Sequence, residues 1–209
     1  MSEICPTVTE YDAAGYAAQV ELLASFASRV QIDLTDGIFA KPKTVSLNQV
    51  YWPSEWTVDL HLMFVSPAQW TEMIVSLKPS LVIIHAEAEG DLSAFIAHIQ
   101  KFGIRVGVAL LPDTSVEKVE ELLSAVDHCL IFGGSLGSQG GTADLSQLSK
   151  VAEIRAINSN IEIGWDGGAN AENVAEIASA GVDVINVGSA IKNAKNPAEI
   201  FQKLHDLTV

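Results

Sequence analysis

The chain has 209 residues, 48% hydrophobic and 18% charged, enough apolar material for a large core and too little charge for a disordered segment. Its 12 basic against 26 acidic residues give a formal net charge of −14, which repels nucleic acid and anionic membrane surfaces. A small phosphorylated ligand held locally by backbone amides is still allowed. No apolar run approaches the roughly 20 residues that a membrane span needs. The opening Met1-Ser2-Glu3-Ile4 lacks the basic and apolar regions of a secretion signal, so a cytoplasmic location is expected.

Short β-rich runs alternate with amphipathic stretches from end to end. The runs cover residues 4–8, 30–34, 57–62, 81–85, 104–110, 128–132, 161–165 and 182–187. The amphipathic stretches cover 11–26, 67–77, 92–102, 116–126, 171–180 and 197–207. Regular alternation predicts a parallel sheet, and eight strands predict a (β/α)8 barrel. No linker or low-complexity stretch divides the chain, so residues 1–209 are expected to form one domain. The rival is an open doubly wound sheet, but Cys5-Pro6-Thr7-Val8 stands where its glycine-rich dinucleotide turn would be. Cys5 and Cys129 lie far apart in apolar runs and read as reduced core thiols, not as a disulfide or a zinc motif. The charge run Glu117-Lys118-Val119-Glu120-Glu121 reads as a solvated helix face.

In such barrels the chemistry sits at the C-terminal ends of the strands. Asp33 ends the second predicted strand, His61 the third and Asp166 the seventh. Strand alternation puts Gln31 and Asp33 on one face, and the three strand ends can aim Asp33, His61 and Asp166 at one centre. Carboxylates reaching a substrate from two sides can remove a proton on one face and return it on the other, which inverts a carbon centre. Taken singly, Asp33 also reads as a strand-end residue bonded to loop amides, Asp166 as a cap or turn residue, and His61 as a satisfied core histidine. His85, one strand later, adds a second imidazole and strengthens the reading of a polar site. Asp36-Gly37 reads as a turn.

Three late strand ends are rich in glycine: the segment from Gly133 to Gly141, Gly167-Gly168, and Gly188-Ser189. Glycine lets backbone N–H groups approach an anion closely, so a phosphorylated substrate is expected there. Lys192 is the one cation that stands out nearby. Trp52, Trp56 and Trp70 read as packing anchors, and Trp165 is placed beside the site through its neighbour Asp166.

The order of these segments resembles the ribulose-phosphate 3-epimerase family over nearly the whole chain. The matching pieces are Ile32-Asp33-Leu34-Thr35-Asp36-Gly37-Ile38-Phe39, Asp59-Leu60-His61-Leu62-Met63, His85-Ala86-Glu87-Ala88, the stretch from Gly107 to Thr114, Gly137-Ser138-Gln139, Asp166-Gly167-Gly168 and Val187-Gly188-Ser189-Ala190-Ile191. The resemblance implies a TIM barrel of the ribulose-phosphate-binding type, an isomerase that interconverts ribulose 5-phosphate and xylulose 5-phosphate through an enediolate. It implies Asp33 and Asp166 as acid and base, and Asp33, His61 and Asp166 as ligands of a divalent zinc, manganese or iron. Substrate contacts are implied at Thr7, Gln31, His61, Met63, Gly137, Ser138, Gln139, Gly167, Gly168, Gly188 and Ser189. A homo-oligomer is implied as well.

Several positions depart from the family pattern. Gln31 replaces a histidine ligand, and an amide carbonyl binds zinc more weakly than imidazole does. Metal affinity is therefore expected to fall, or the site to take a harder ion or none; alternatively, the Gln31 amide donates to the enediolate. Thr35 replaces methionine, Thr7 replaces serine, and Ala40-Lys41-Pro42 replaces Val-Pro-Asn. The phosphate loop Asn-Pro-Gly-Phe-Gly-Gly-Gln becomes Gly133-Gly134-Ser135-Leu136-Gly137-Ser138-Gln139. These changes leave open a non-catalytic sugar-phosphate-binding barrel. The related decarboxylases resemble one another in Asp-x-Lys-x-x-Asp on the third strand, and His61 in place of that lysine argues against them.

Overall fold

The structure is a computed structural model that describes residues 1–134, 136 and 140–208. Eight parallel strands pair in sequence order: β1 (Glu3–Val8), β2 (Arg29–Thr35), β3 (Thr57–Met63), β4 (Leu81–His85), β5 (Arg105–Leu110), β6 (His128–Phe132), β7 (Glu162–Asp166) and β8 (Val184–Val187). β8 pairs with β1 and closes a TIM barrel. Every predicted strand is present, and no end is displaced by more than two residues.

The helices are α1 (Ala13–Leu23), α2 (Thr71–Leu77), α3 (Leu92–Gln100), α4 (Glu120–Ala125), α5 (Lys150–Ile157), α6 (Val174–Ser179), α7 (Ser189–Lys192) and α8 (Pro197–Asp206). Asp12 and Asp91 start α1 and α3 by accepting hydrogen bonds from the N–H groups of Gly15 at 2.8 Å and Ala94 at 2.9 Å. The amphipathic stretches expected from the sequence include no counterpart of α5. Its signal is a three-residue spacing, Leu145, Leu148, Val151 and Ile154, behind Asp144, whose carboxylate accepts from the Ser146 N–H. Residues 36–56, between β2 and β3, contain no helix and run over the top of the barrel as a loop.

Alternation along the strands sorts the core into two layers. Ile32, Leu34, Leu60, Leu62, Ile84, Val106 and Ile163 face outward and pack under the helices with no exposure. Inside the barrel, Leu81, Ile83, Ala109 and Leu130 form a small separate apolar cluster. Below it, at the N-terminal end, the buried Arg29 donates from Nε to Asp59 at 2.8 Å, from Nη1 to Glu3 at 2.9 Å and from Nη2 to Glu162 at 2.9 Å. Arg105 and His128 add contacts to Glu162 at 3.0 and 2.9 Å. The bottom of the barrel is thus closed by an ionic plug and its middle by apolar side chains, which leaves the top as the open end. Cys5 and Cys129 are buried and free, as expected. No helix of the described residues is long and apolar enough to cross a membrane.

Candidate active site

β2, β3 and β7 bring Asp33, His61 and Asp166 together at the top of the barrel. Asp33 and His61 are direct neighbours in the β2–β3 register, and Asp166 ends β7, three strands from β2 by way of β1 and β8. Closure of the sheet turns all three inward, and one ligand atom from each lies within 4.8 Å of the other two. His61 Nδ1 is 3.0 Å from Asp33 Oδ1 and 3.8 Å from Asp166 Oδ2. The Thr9 hydroxyl donates to the other Asp33 oxygen at 2.7 Å.

Gln31 lies beneath the carboxylates and is fully buried. Its amide nitrogen donates one hydrogen to Asp33 at 2.8 Å and the other to Asp166 at 2.6 Å. The amide oxygen is buried without a hydrogen-bond partner. Burial, and then the negative charge of Asp33, push Asp166 up from the usual carboxylate range to about 7, against the pull of His61 and the Gln31 amide. A carboxyl group that holds a proton near neutrality, facing a second carboxyl group across the pocket, suits a proton-in, proton-out reaction.

Behind His61 stands His85, with the two Nε2 atoms 3.0 Å apart. Burial is the main force that pushes His85 down to about 4. On its far side is Glu87, which stands in one of the matching sequence segments without an assigned role. Burial favours the neutral form of Glu87, but contacts with His85, the Thr114 hydroxyl and the Leu111 N–H outweigh it and hold the carboxyl below its usual range. Phe39, from the loop after β2, lies against His85 with ring centroids 4.7 Å apart.

The pocket above these groups is lined by Thr7, Asp33, His61, Met63, Asp166, Gly167, Gly168, Gly188 and Ser189, nine of the residues expected to contact substrate, metal or the transferred proton. Gln31 does not line it and touches the carboxylates from below. Gly137, Ser138 and Gln139 lie outside the described residues. Gly167 and Gly168 have φ of 119° and 68°, and a Cβ at these positions would stand 2.2 Å from the Gly134 nitrogen and 2.4 Å from the Ala143 nitrogen. Only glycine allows the loops after β6 and β7 to approach this closely. Trp165 is fully buried outside the barrel wall; its indole packs where a Gly133 side chain would be and donates to the Gly167 carbonyl at 3.0 Å. It anchors these loops and does not line the pocket.

Lys41, Asn186 and Thr9 are among the pocket residues that the sequence did not single out as substrate contacts. Lys41 joins Lys192 on the wall, so Lys192 is not the lone cation near the site, and Lys192 itself pairs with Glu10 at 2.6 Å. Asn186, beside Asp166 in the β7–β8 register, is buried, lines the pocket and leaves its amide oxygen without a partner. Its signal is a single polar residue in the apolar run Val184-Ile185-Asn186-Val187. Thr9 is the third, a hydroxyl just past the end of β1. Asp36 forms the expected turn, accepting from the N–H groups of Ile38 at 2.7 Å, Phe39 at 2.8 Å and Val65 at 2.7 Å.

Comparison with known proteins agrees with this fold. Among solved structures, the barrel is similar to 3-hexulose-6-phosphate synthase from Salmonella typhimurium, with a TM-score of 0.74 over 99% of this chain and 98% of that one. At 15% identity that likeness concerns the fold alone. The Helicobacter pylori ribulose-phosphate 3-epimerase is 30% identical over 201 residues, covering 93% of this chain and 92% of the relative. The Schizosaccharomyces pombe ribulose-phosphate 3-epimerase is 26% identical over 212 residues, covering 98% and 93%. Residues 3–192 match the profile described as the ribulose-phosphate 3 epimerase family. With the match spanning all eight strands and both aspartates, the chain belongs to the ribulose-phosphate 3-epimerase family, isomerases that act on carbohydrate phosphates.

Proposed function

We propose that this protein interconverts ribulose 5-phosphate and xylulose 5-phosphate by moving a proton at C3 between Asp33 and Asp166. The observation that carries this reading is the convergence of the two aspartates on one pocket with Asp166 raised to about 7. One aspartate takes the C3 proton as a base, leaving an enediolate, and the other returns a proton to the opposite face. Thr9 and Gln31 orient the carboxylates through the bonds described above. The glycine turns at Gly167-Gly168 and Gly188-Ser189 offer backbone N–H groups for the phosphate at the same pocket, and Thr7 and Met63 flank the sugar. The family match favours catalysis over a binding-only barrel.

Asp33, His61 and Asp166 suit a divalent cation such as zinc, manganese or iron: two carboxylates and an imidazole offer atoms within 4.8 Å of one another. Gln31 fits as well, because its orphaned oxygen reaches the carboxylates if the amide turns over. When bound, the cation supplies positive charge that stabilises the enediolate.

The test is deuterium incorporation from heavy water at C3 of ribulose 5-phosphate, followed by NMR with manganese or zinc supplied. Exchange with formation of xylulose 5-phosphate is expected. Asp33→Asn should lower kcat by about 10²–10⁴-fold, the usual worth of a positioned acid or base. Full turnover in that variant would refute the two-aspartate mechanism.

A further inference from the structure

Below the pocket, four side chains are joined by three contacts. Glu87 Oε2 lies 3.4 Å from His85 Nδ1, His85 Nε2 lies 3.0 Å from His61 Nε2, and His61 Nδ1 lies 3.0 Å from Asp33 Oδ1. Both ends of the row are carboxylates, which only accept when ionised. When both imidazoles are neutral, as a His61 lone pair on a metal requires, they bring two N–H protons to three contacts, so one contact lacks a proton. If His61 donates from Nδ1 to Asp33, the deficit falls between His85 and Glu87. His85 Nδ1 and Glu87 Oε2 are indeed both buried and without a hydrogen bond. Two facing lone pairs away from water are costly to keep.

Moving each proton one contact along removes that cost. His85 then donates from Nδ1 to Glu87, His61 donates from Nε2 to His85, and the His61 Nδ1 lone pair faces the two aspartates. A cation at that point completes the row. Glu87 favours this direction, because its Oε1 is already taken by the Leu111 N–H at 3.1 Å and by the Thr114 hydroxyl, which leaves Oε2 as an acceptor fixed towards His85. We propose that Glu87, acting through His85, holds His61 in its Nε2–H form and so presents Nδ1 to a divalent metal at Asp33 and Asp166. The inference rests on the metal centre proposed above. Glu87 and His85 are positioning residues, and fixing the tautomer of His61 matters more here because Gln31 offers a weaker ligand than an imidazole.

Glu87→Gln tests the direction of the row at almost constant shape. The amide oxygen keeps the bonds from Leu111 and Thr114, so the NH2 falls where Oε2 was and donates to His85 Nδ1. Every bond then reverses, and His61 carries its proton on Nδ1, where it blocks the metal. Zinc titration by calorimetry on the full chain should show affinity reduced by about 10–100-fold. Long-range ¹H–¹⁵N spectra should show His61 protonated on Nε2 in the zinc-loaded native protein and on Nδ1 in the metal-free variant. Zinc affinity of the variant within about twofold of native, a ratio too small to reflect a lost ligand, would overturn the inference and leave the metal centre intact. A native protein that takes up no zinc would overturn the metal centre and this inference together. The native spectrum stands even if the variant does not fold: zinc on Nε2 of His61, with the proton on Nδ1, overturns the proposal.

Discussion

The two ends of the barrel hold the same kinds of side chain and balance their charge differently. At the bottom, Glu3, Asp59 and Glu162 gather around Arg29, with Arg105 and His128 in support. Burial raises Glu162, but the bonds from His128 and Arg29 outweigh it and hold the carboxyl well below its usual range. Asp59 lies deeper, and there burial outweighs Arg29 and keeps the carboxyl raised. At the top, Asp33 and Asp166 gather around Gln31, which donates hydrogen bonds but carries no charge, and Asp166 rises to about 7. A resident cation makes a carboxylate cluster structural. A neutral donor in its place leaves the cluster short of positive charge, and that shortage is what a metal and a proton-transfer reaction can use.

Removing the cation from the bottom is the most severe way to break this contrast. Arg29→Met keeps volume and leaves Asp59 and Glu162 with unpaired bonds in a buried setting, so stability is expected to fall by about 3–5 kcal/mol. The urea midpoint measures the loss. In the protein that remains folded, kcat should stay within about threefold of native, since Arg29 touches none of the pocket side chains and distant sites act nearly independently. A loss below about 1 kcal/mol, the worth of an exposed ion pair, would mean that the plug is not what holds these charges.

This contrast also marks what the sequence made legible. The barrel follows from alternation, because eight apolar runs separated by amphipathic stretches have few other ways to bury both faces. Asp33, His61 and Asp166 were legible because they end apolar strands, where a charged or imidazole side chain is conspicuous. The plug was not. Arg29, Asp59, Arg105 and Glu162 stand at or near the starts of strands and look like solvated ends, and only closure of the ring turns them inward on one another. Helix α5 was missed because its polar residues, Lys150, Glu153 and Arg155, leave only a thin apolar stripe, and the glycine-rich stretch before it reads as loop. Asn186 was missed because one amide in a four-residue strand carries no periodicity.

A milder test changes pH, and Glu162 at the bottom and Asp166 at the top should answer with opposite signs. Glu162 has a depressed folded value, so its contribution is present above the unfolded value near 4.5 and is lost as pH falls through the folded one. Asp166 has a raised folded value, so its contribution is full below the unfolded value near 3.8 and is lost as pH rises through about 7. In the presence of a chelator, the urea midpoint taken relative to that of Asp166→Asn should therefore decline from about pH 4 to pH 7, by on the order of a few kcal/mol in stability. The comparison removes the opposite contribution of His85, whose lowered folded value gives stability that rises with pH over the same range. Manganese or zinc should remove the decline, because a cation favours the ionised pair. A decline that persists unchanged with metal would place the titrating group away from Asp33, His61 and Asp166.

The smallest change makes the top more like the bottom. Gln31→His puts an imidazole under the two carboxylates, where the amide now spends both its hydrogens on Asp33 and Asp166. The variant should bind zinc about tenfold more tightly or better, the equivalent of roughly 1.4 kcal/mol. At saturating metal kcat should change little, because both aspartates keep their places; at limiting metal turnover should rise with occupancy. Calorimetry and exchange rates at two zinc concentrations separate the cases. Unchanged zinc affinity would show that position 31 lies outside the coordination sphere. The Gln31 amide would then act only as the neutral strut that keeps two buried carboxyl groups from repelling each other, and the metal would depend on the His61 lone pair and the aspartates alone.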